Sequence, residues 1–339
     1  MSAILAPPSL RLRTLTPYLC LLAGAGLVWY VLNGPAPSGR EAVRAVVIRP
    51  KTGALDIAQV LKEARIIRSR VAFLAVAMAR GTQRRLLAGE YEFAPGLNLL
   101  EVVRRLEQGK GLINQVTIPE GLAAQQIAEL LHEKGLIDRD RFMGLLRDRR
   151  LLAEYQVESK SLEGYLFPDT YRLTKGMTEE TIIRLMVQRF TEVFGPAERA
   201  RAIELKMSVA EVVTIASLIE REAKMEDERP LISAVFHNRL RLGMPMQSDP
   251  TVMYGLARFS GKLTKANLRA SSPYNTYLHR GLPPGPIASP GRASVKAALY
   301  PSSSNFLYFV SKNDGTHAFS STLREHDAMV RRYQIRRAG

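Results

Sequence analysis

The residues best suited to do chemistry lie on one predicted helix, residues 211–224, with the sequence EVVTIASLIEREAK. At about 100° per residue, Glu220 shares a face with Val213 and Ala216. Glu222 lies on the opposite side, again among apolar residues. A helix that is apolar nearly all round is buried, so both carboxyl groups must be desolvated, paired or placed at a cleft.

A desolvated carboxylic acid can keep its proton near neutral pH, because burial disfavours the charged form. Cleavage of a glycosidic bond needs such an acid, since the leaving oxygen must be protonated as oxocarbenium character develops. Glu220 is therefore predicted to be an acid/base group that acts on a sugar. The alternative is a structural network in which Glu220 and Glu222 form salt bridges with nearby arginines, namely Arg221, Arg229 and Arg239.

Irregular polar segments follow this helix. Residues 246–251 read MQSDPT, in which Pro250 is expected to stop any helix through the preceding residue. Residues 272–277 read SPYNTY, and the Pro- and Gly-rich residues 281–291 fix an irregular backbone. Acids, amides and aromatic rings are the groups that hold sugars, although each can also cap a helix or pack a turn. The candidate substrate contacts are Glu222, Gln247, Asp249, Asn275 and Tyr277.

Eight segments, taken in order, carry a family resemblance. They are PEG at 119–121, LEGYLFPDTY at 162–171, ASLIERE at 216–222, NRL at 238–240, QSDPT at 247–251, YNTY at 274–277, GLPPGPI at 281–287 and YFV at 308–310. Together they resemble the YceG-like endolytic murein transglycosylases, the MltG family, over nearly the whole chain. The resemblance implies that Glu220 is the catalytic acid/base.

A mechanism follows as a hypothesis. Protonated Glu220 donates to the oxygen that links MurNAc to GlcNAc, and its carboxylate then takes the proton of the MurNAc C6 hydroxyl. That hydroxyl closes on the anomeric carbon and leaves a 1,6-anhydro-MurNAc end. Because this nucleophile is intramolecular, no second carboxylate is strictly needed.

Three alternatives stay open at this point. A muramidase would use water in place of the C6 hydroxyl, and a non-catalytic peptidoglycan-binding scaffold would use the first half of the chain and leave Glu220 structural. A pyridoxal-phosphate lyase would need a Schiff-base lysine, but Lys224 has no glycine-rich phosphate loop beside it. No cofactor and no metal site are predicted, and four-ligand zinc spacings are absent.

The composition favours an anionic environment. The net charge is +16 and the pI is about 10.1, which suits anionic lipids, peptidoglycan or nucleic acid. The basic residues are scattered with little aromatic interleaving, which argues against nucleic acid. Cys20 is the only cysteine, so there is no internal disulfide, and a buried thiol fits its apolar surroundings better than lipid attachment.

One membrane segment is predicted near the start of the chain. Residues 15–32 carry no charge and are long enough to cross a bilayer. An uncleaved anchor is favoured over a signal peptide, since no clear cleavage site follows. Arginines on both sides leave the orientation open. The resemblance implies a single-pass inner-membrane protein with a periplasmic catalytic domain, acting on peptidoglycan beside penicillin-binding proteins.

The predicted fold class is α+β. The predicted domains are a cytoplasmic N-terminus at 1–14, a transmembrane helix at 15–33, a linker at 34–43, a module at 44–114 and a catalytic domain at 115–339. Strand–helix patterns recur 70 residues apart, with Ile57 and Ala58 matching Ile127 and Ala128. This repetition fits either a glycan-binding module or economical packing. The resemblance implies a LysM-like module and a mixed α/β, lysozyme-like catalytic domain.

Overall fold

A computed structural model describes residues 26, 29–30, 43–49, 51–109, 114–256, 261 and 263–335. The chain divides into two units after Asn114, and Arg172–Met177 belongs to the first unit although it comes later in sequence. The described part is a mixed α+β fold with many helices and small two-stranded sheets.

No helix within the described residues has the length and apolar character needed to cross a membrane. Apart from Gly26, Trp29 and Tyr30, the predicted anchor at 15–33 lies outside the described residues. The anchor therefore stays a prediction.

The first unit has the order strand, helix, helix, strand, helix. Its elements are β1 (Arg44–Ile48), α1 (Ala54–Glu63), α2 (Arg70–Ala79), β2 (Gly89–Phe93) and α3 (Leu99–Gln108). β1 and β2 are antiparallel, with Arg44 opposite Phe93 and Ile48 opposite Gly89. Alternate residues of β1 point inward, so that Val46 and Ile48 are buried while Val47 is exposed. These side chains form one hydrophobic core with the helices.

The remaining elements belong to the second unit, except for Asn114 and residues 172–173 at the ends of two strands, which belong to the first. They are β3 (Asn114–Thr117), α4 (Ala124–Glu133), α5 (Arg139–Leu145), α6 (Arg149–Glu154), β4 (Thr170–Leu173), α7 (Glu179–Val193), α8 (Pro196–Glu204), α9 (Val209–Glu222), α10 (Arg229–Arg241), α11 (Asp249–Gly255), a 3-10 turn (Asn267–Arg269), α12 (Arg292–Leu299), β5 (Tyr308–Ser311), β6 (His317–Ser320), α13 (Leu323–Val330) and a π-helical turn (Arg331–Ile335). β3 pairs with β4. β5 and β6 are antiparallel.

The predicted repeat at an offset of 70 residues is confirmed by the element boundaries. β3 and α4 begin 70 residues after β1 and α1. Each helix is followed by a residue in the left-handed region, Arg65 with φ 55° and Gly135 with φ 65°. The same helical positions are buried in each copy: Ile57, Ala58 and Leu61, then Ile127, Ala128 and Leu131.

α9 is the buried helix that the sequence predicted, and it ends at Glu222. Every residue from Val212 to Ile219 is buried. Ser208 caps the start of the helix: its Oγ accepts from the backbone N–H of Glu211. In turn, the Ser208 N–H donates to the side chain of Glu211. The helix packs against α10 and α12. The two glutamates therefore lie in its last turn, where the chain leaves the core.

The expectation that Pro250 excludes a helix at Asp249 is wrong. α11 begins at Asp249, and Pro250 lies in its first turn. Proline is tolerated there because the first N–H groups of a helix have no intrahelical partner.

Candidate active site

Glu220 is held at the end of α9 by two donors. Its side chain is only 6% exposed, and its Oε1 accepts from Nη2 of Arg229 at 3.2 Å. Its Oε2 accepts from the backbone N–H of Gly291 at 2.9 Å. Nε of Arg229 also donates to Oγ of Ser294 at 3.0 Å, which fixes the guanidinium between the starts of α10 and α12.

The site thus combines both interpretations of the sequence. Glu220 is desolvated, as a glycosidic acid/base must be, and it also forms one of the arginine pairs of the structural alternative. Both donors stabilise an ionised carboxylate. The arrangement can accept a proton, and it holds the charge that remains after a proton has been given away.

A second carboxyl group lies beside Glu220. The turn that follows Glu120 is fixed by Gly121, whose N–H donates to the Ser289 carbonyl at 2.9 Å. A Cβ on Gly121 would lie 3.7 Å from Cγ of Glu220, so the turn is in contact with this side chain. The carboxyl of Glu120 occupies the place that a Cβ on Gly291 would fill. Burial, and then the negative charge of Glu220, raise the pKa of Glu120.

Glu222 forms a different network on the other side of the helix end. Oγ of Ser248 donates to its Oε1 at 2.6 Å. Burial raises the pKa of Glu222 to about 7, against the opposing effect of the Ser248 hydrogen bond. The hydroxyl of Tyr277 donates to Oδ1 of the exposed Asp249 at 2.7 Å. Burial also raises the pKa of Tyr277.

Gln247 and Asn275 have different degrees of exposure. Gln247 is exposed and has φ 50°, and its Oε1 accepts from Nη1 of Arg239 at 3.3 Å. Asn275 is 0% exposed. Its Nδ2 donates to the carbonyls of Leu268 and Ala270 at 3.0 and 2.9 Å. The side-chain amide of Asn275 was predicted to bind sugar, but its N–H groups hold the backbone of its own loop in place.

The structure brings the predicted residues together as two networks at one helix end. Glu222, Asp249 and Tyr277 belong to one network, and Glu220 belongs to the other. Four members were not predicted as site residues: Ser248, Gly291, Ser294 and Glu120. Glu120 and Gly291 both lie in segments rich in Pro and Gly, which was the available signal. No group of three or more potential metal-binding side chains occurs within the described ranges.

The chain is similar to several known proteins, which share one family. The family model described as YceG-like matches residues 46–332. A Bacillus subtilis (strain 168) protein named endolytic murein transglycosylase is 32% identical, covering 92% of this chain and 91% of the relative. A Streptococcus pneumoniae protein (serotype 2, strain D39 / NCTC 7466) of the same name is 27% identical, and the alignment covers 92% of this chain and 63% of that relative. A 2.6 Å crystal structure of a yceG-like protein from Listeria monocytogenes aligns with a TM-score of 0.59 and 32% identity, over 85% of this chain and 98% of that one.

Proposed function

This chain belongs to the YceG-like family, and from that premise we propose that it is an endolytic murein transglycosylase whose catalytic carboxyl group is Glu220. The relatives that carry this name support the reaction. The observation that carries the assignment is a carboxyl group only 6% exposed, with a donor on each oxygen.

Glu220 acts first as an acid and then as a base. It protonates the oxygen between MurNAc and GlcNAc while the bond from that oxygen to the anomeric carbon breaks. The resulting carboxylate is stabilised by Arg229 and by the N–H of Gly291. It then takes the proton of the C6 hydroxyl as O6 bonds to the anomeric carbon. The product is a 1,6-anhydro-MurNAc end, and cuts within nascent strands limit their length.

The test is Glu220→Gln on purified uncrosslinked glycan strands, with products identified by mass spectrometry. The amide keeps the shape but cannot exchange the proton, so turnover falls by orders of magnitude while the fold is retained. Glu129→Gln is the matched control, because that carboxylate is 49% exposed and lies on α4. Near-wild-type turnover in Glu220→Gln would exclude the assignment.

The same products separate the alternative reactions. An anhydro end is lighter by one water than the end a muramidase leaves. Binding to sacculi without release of soluble fragments would indicate a non-catalytic scaffold.

Two exposed side chains are the best candidates for sugar contacts. Gln247 and Asp249 are both exposed beside the end of α9. Glu222 and Tyr277 hold these two residues in position, since Glu222 accepts from Ser248 and Tyr277 donates to Asp249. Asn275 keeps the loop in shape. Gln247→Ala and Asp249→Asn should raise KM more than they lower kcat, whereas Asn275→Ala should lower the unfolding temperature.

The first unit is assigned to glycan binding. Its strand–helix–helix–strand order and single core support a LysM-like module at 44–114. A pull-down of the full chain on insoluble peptidoglycan, with and without substitutions on this module, tests the assignment. Retention that depends only on residues beyond 114 would contradict it.

Membrane attachment is proposed from the sequence. Residues 15–33 form a single anchor in the inner membrane, with residues 1–14 cytoplasmic and the catalytic domain periplasmic, where penicillin-binding proteins are its partners. Alkaline extraction of membranes tests the anchor, and protease digestion of spheroplasts tests the orientation. In-cell crosslinking followed by detection of penicillin-binding proteins tests the partnership.

A further inference from the structure

We infer that Glu120 and Glu220 form a carboxyl pair that holds one proton between them, and that Glu120 keeps this proton available to Glu220 at neutral pH. The inference rests on the proposed function, because the proton has a use only if Glu220 acts on a glycosidic bond. Glu120 is a positioning residue in this scheme, since it acts through Glu220.

Gly291 places the two carboxyl groups together. Its N–H donates to Oε2 of Glu220 at 2.9 Å, and the carboxyl of Glu120 fills the space where any other residue would carry a Cβ. Gly291 has φ −78° and ψ 173°, which any residue adopts. A glycine is therefore needed here for space, not for conformation. The absence of a side chain lets Glu120 approach Glu220.

The turn of Glu120 is fixed independently of its carboxyl group. The Gly121 N–H donates to the Ser289 carbonyl at 2.9 Å, and the Ser289 N–H donates to the Leu122 carbonyl at 2.8 Å. Nη1 of Arg221 donates to the Gly121 carbonyl at 3.1 Å. These bonds hold the turn against the end of α9, so Glu120 is kept beside Glu220 despite their mutual repulsion.

The charges that face Glu120 favour a shared proton. Glu220 and Glu226 raise its pKa, and Arg229 opposes them. Nη1 of Arg221 donates to the carbonyl of Gly121, and Arg292 contributes to lowering the pKa of Asp169. Two neighbouring carboxyl groups retain one proton more readily than either would alone.

The two groups differ in what they bind. Glu220 accepts from Arg229 and from a backbone N–H, both of which favour its ionised form. Within the described part of the chain, the carboxyl of Glu120 accepts no hydrogen bond from a protein donor, and the residue is exposed. The proton of the resting pair therefore lies on Glu120.

The reaction leaves the pair as it began. The proton passes through Glu220 to the bridging oxygen as that oxygen leaves the anomeric carbon. The C6 hydroxyl returns a proton to Glu220 as O6 forms the new bond. No water is consumed, and the pair again holds one proton.

The test is the pH dependence of kcat for Glu120→Gln on purified glycan strands. Glu120→Gln removes one of the two carboxyl groups that share the proton, so the protonated form of the site should persist only to a lower pH. The basic limb of the profile should move down by about 1 pH unit or more, with about a 10-fold loss of kcat on the alkaline side, recovery on acidification and an unchanged KM.

Gly291→Ala provides an independent variant. It keeps the N–H that donates to Glu220, and its methyl group displaces the carboxyl of Glu120. The same shift of the basic limb is expected. Gly144→Ala is the control, because a Cβ at this position on α5 meets nothing within 4 Å. Unfolding temperatures of all variants identify any loss of fold.

Two results would overturn the inference. One is a pH profile of kcat for Glu120→Gln whose acidic and basic limbs lie at the same pH values as in wild type, whatever the maximum kcat. The other is a change confined to KM, which would make Glu120 a sugar contact. The proposed function fails separately, if Glu220→Gln retains turnover whatever Glu120 does.

Discussion

Oγ of Ser248 donates a 2.6 Å hydrogen bond to Oε1 of Glu222, and this bond joins the last residue of α9 to the residue that precedes α11. Glu222 is partly buried beside the exposed Asp249, which accepts from Tyr277. Because Glu222 lies in the same helical turn as Glu220, a change in the protonation of Glu222 acts on the helix end that carries Glu220.

The first prediction concerns Glu222 and pH. Burial raises its pKa to about 7 from 4.5, so the folded state binds more protons than the unfolded state between these values. The contribution of Glu222 is most favourable at low pH and is lost as pH rises towards 7. At about pH 8, the free energy of unfolding of Glu222→Gln should therefore exceed that of wild type by on the order of 3 kcal/mol, and little difference is expected near pH 4. Urea denaturation at the two pH values measures both differences. An equal effect at both pH values would contradict this account.

The second prediction concerns Glu163, which is also buried. It accepts from the Ala124 N–H at 3.0 and 3.2 Å and from the Tyr254 hydroxyl at 3.0 Å, and burial raises its pKa to about 7. Tyr254→Phe removes a hydrogen bond that opposes this rise. The pKa of Glu163 should move higher still, so the loss of stability with rising pH should continue to a higher pH than in wild type. Urea denaturation across this pH range measures the slope, and Glu163→Gln combined with Tyr254→Phe should abolish the difference.

The third prediction concerns Gly164, which allows two segments to meet. Its φ is +83°, and an added Cβ would lie 2.5 and 2.7 Å from Cβ and Cγ of Pro286 and 3.0 Å from Cγ1 of Val213 on α9. Gly164→Ala should cost about 3 kcal/mol of unfolding free energy, since overlap adds to backbone strain. Gly243→Ala is the matched control, because its φ is +64° and its surroundings are open. That variant should cost about 1 kcal/mol. Equal losses would show that overlap with Pro286 has no effect.

The fourth prediction concerns the pair of Arg229 and Glu220. The two side chains are 13% and 6% exposed, so Arg229→Gln leaves a buried carboxylate with only the Gly291 N–H as donor. A loss of about 3 kcal/mol at neutral pH is expected, and Glu220→Gln in the same chain should restore part of it. Arg139→Gln is the control, since Arg139 is 47% exposed in its pair with Glu129, and its loss of stability should be much smaller. Additive losses in the double variant would show that the two side chains are not coupled.

The amino-acid sequence alone determined the local elements of this protein. Periodic apolar residues predicted the buried helix α9 and placed Glu220 and Glu222 on it, because helix burial follows from spacing along the chain. The same patterns predicted the strand–helix repeat. Sequence motifs indicated the family, because a motif is defined by residue types and their order along the chain and needs no tertiary structure to be read.

Only the tertiary structure decided which groups meet at the end of α9. Gly291 donates to Glu220 across 71 residues of sequence, and Arg221 reaches Gly121 across 100. Such contacts depend on irregular backbone whose path is fixed by hydrogen bonds between distant loops, and no periodicity encodes them. The same applies to Asn275, whose type suggested a sugar contact but whose amide is used by two backbone carbonyls. Residue type sets what a side chain can bind, and the folded chain decides which partner it finds.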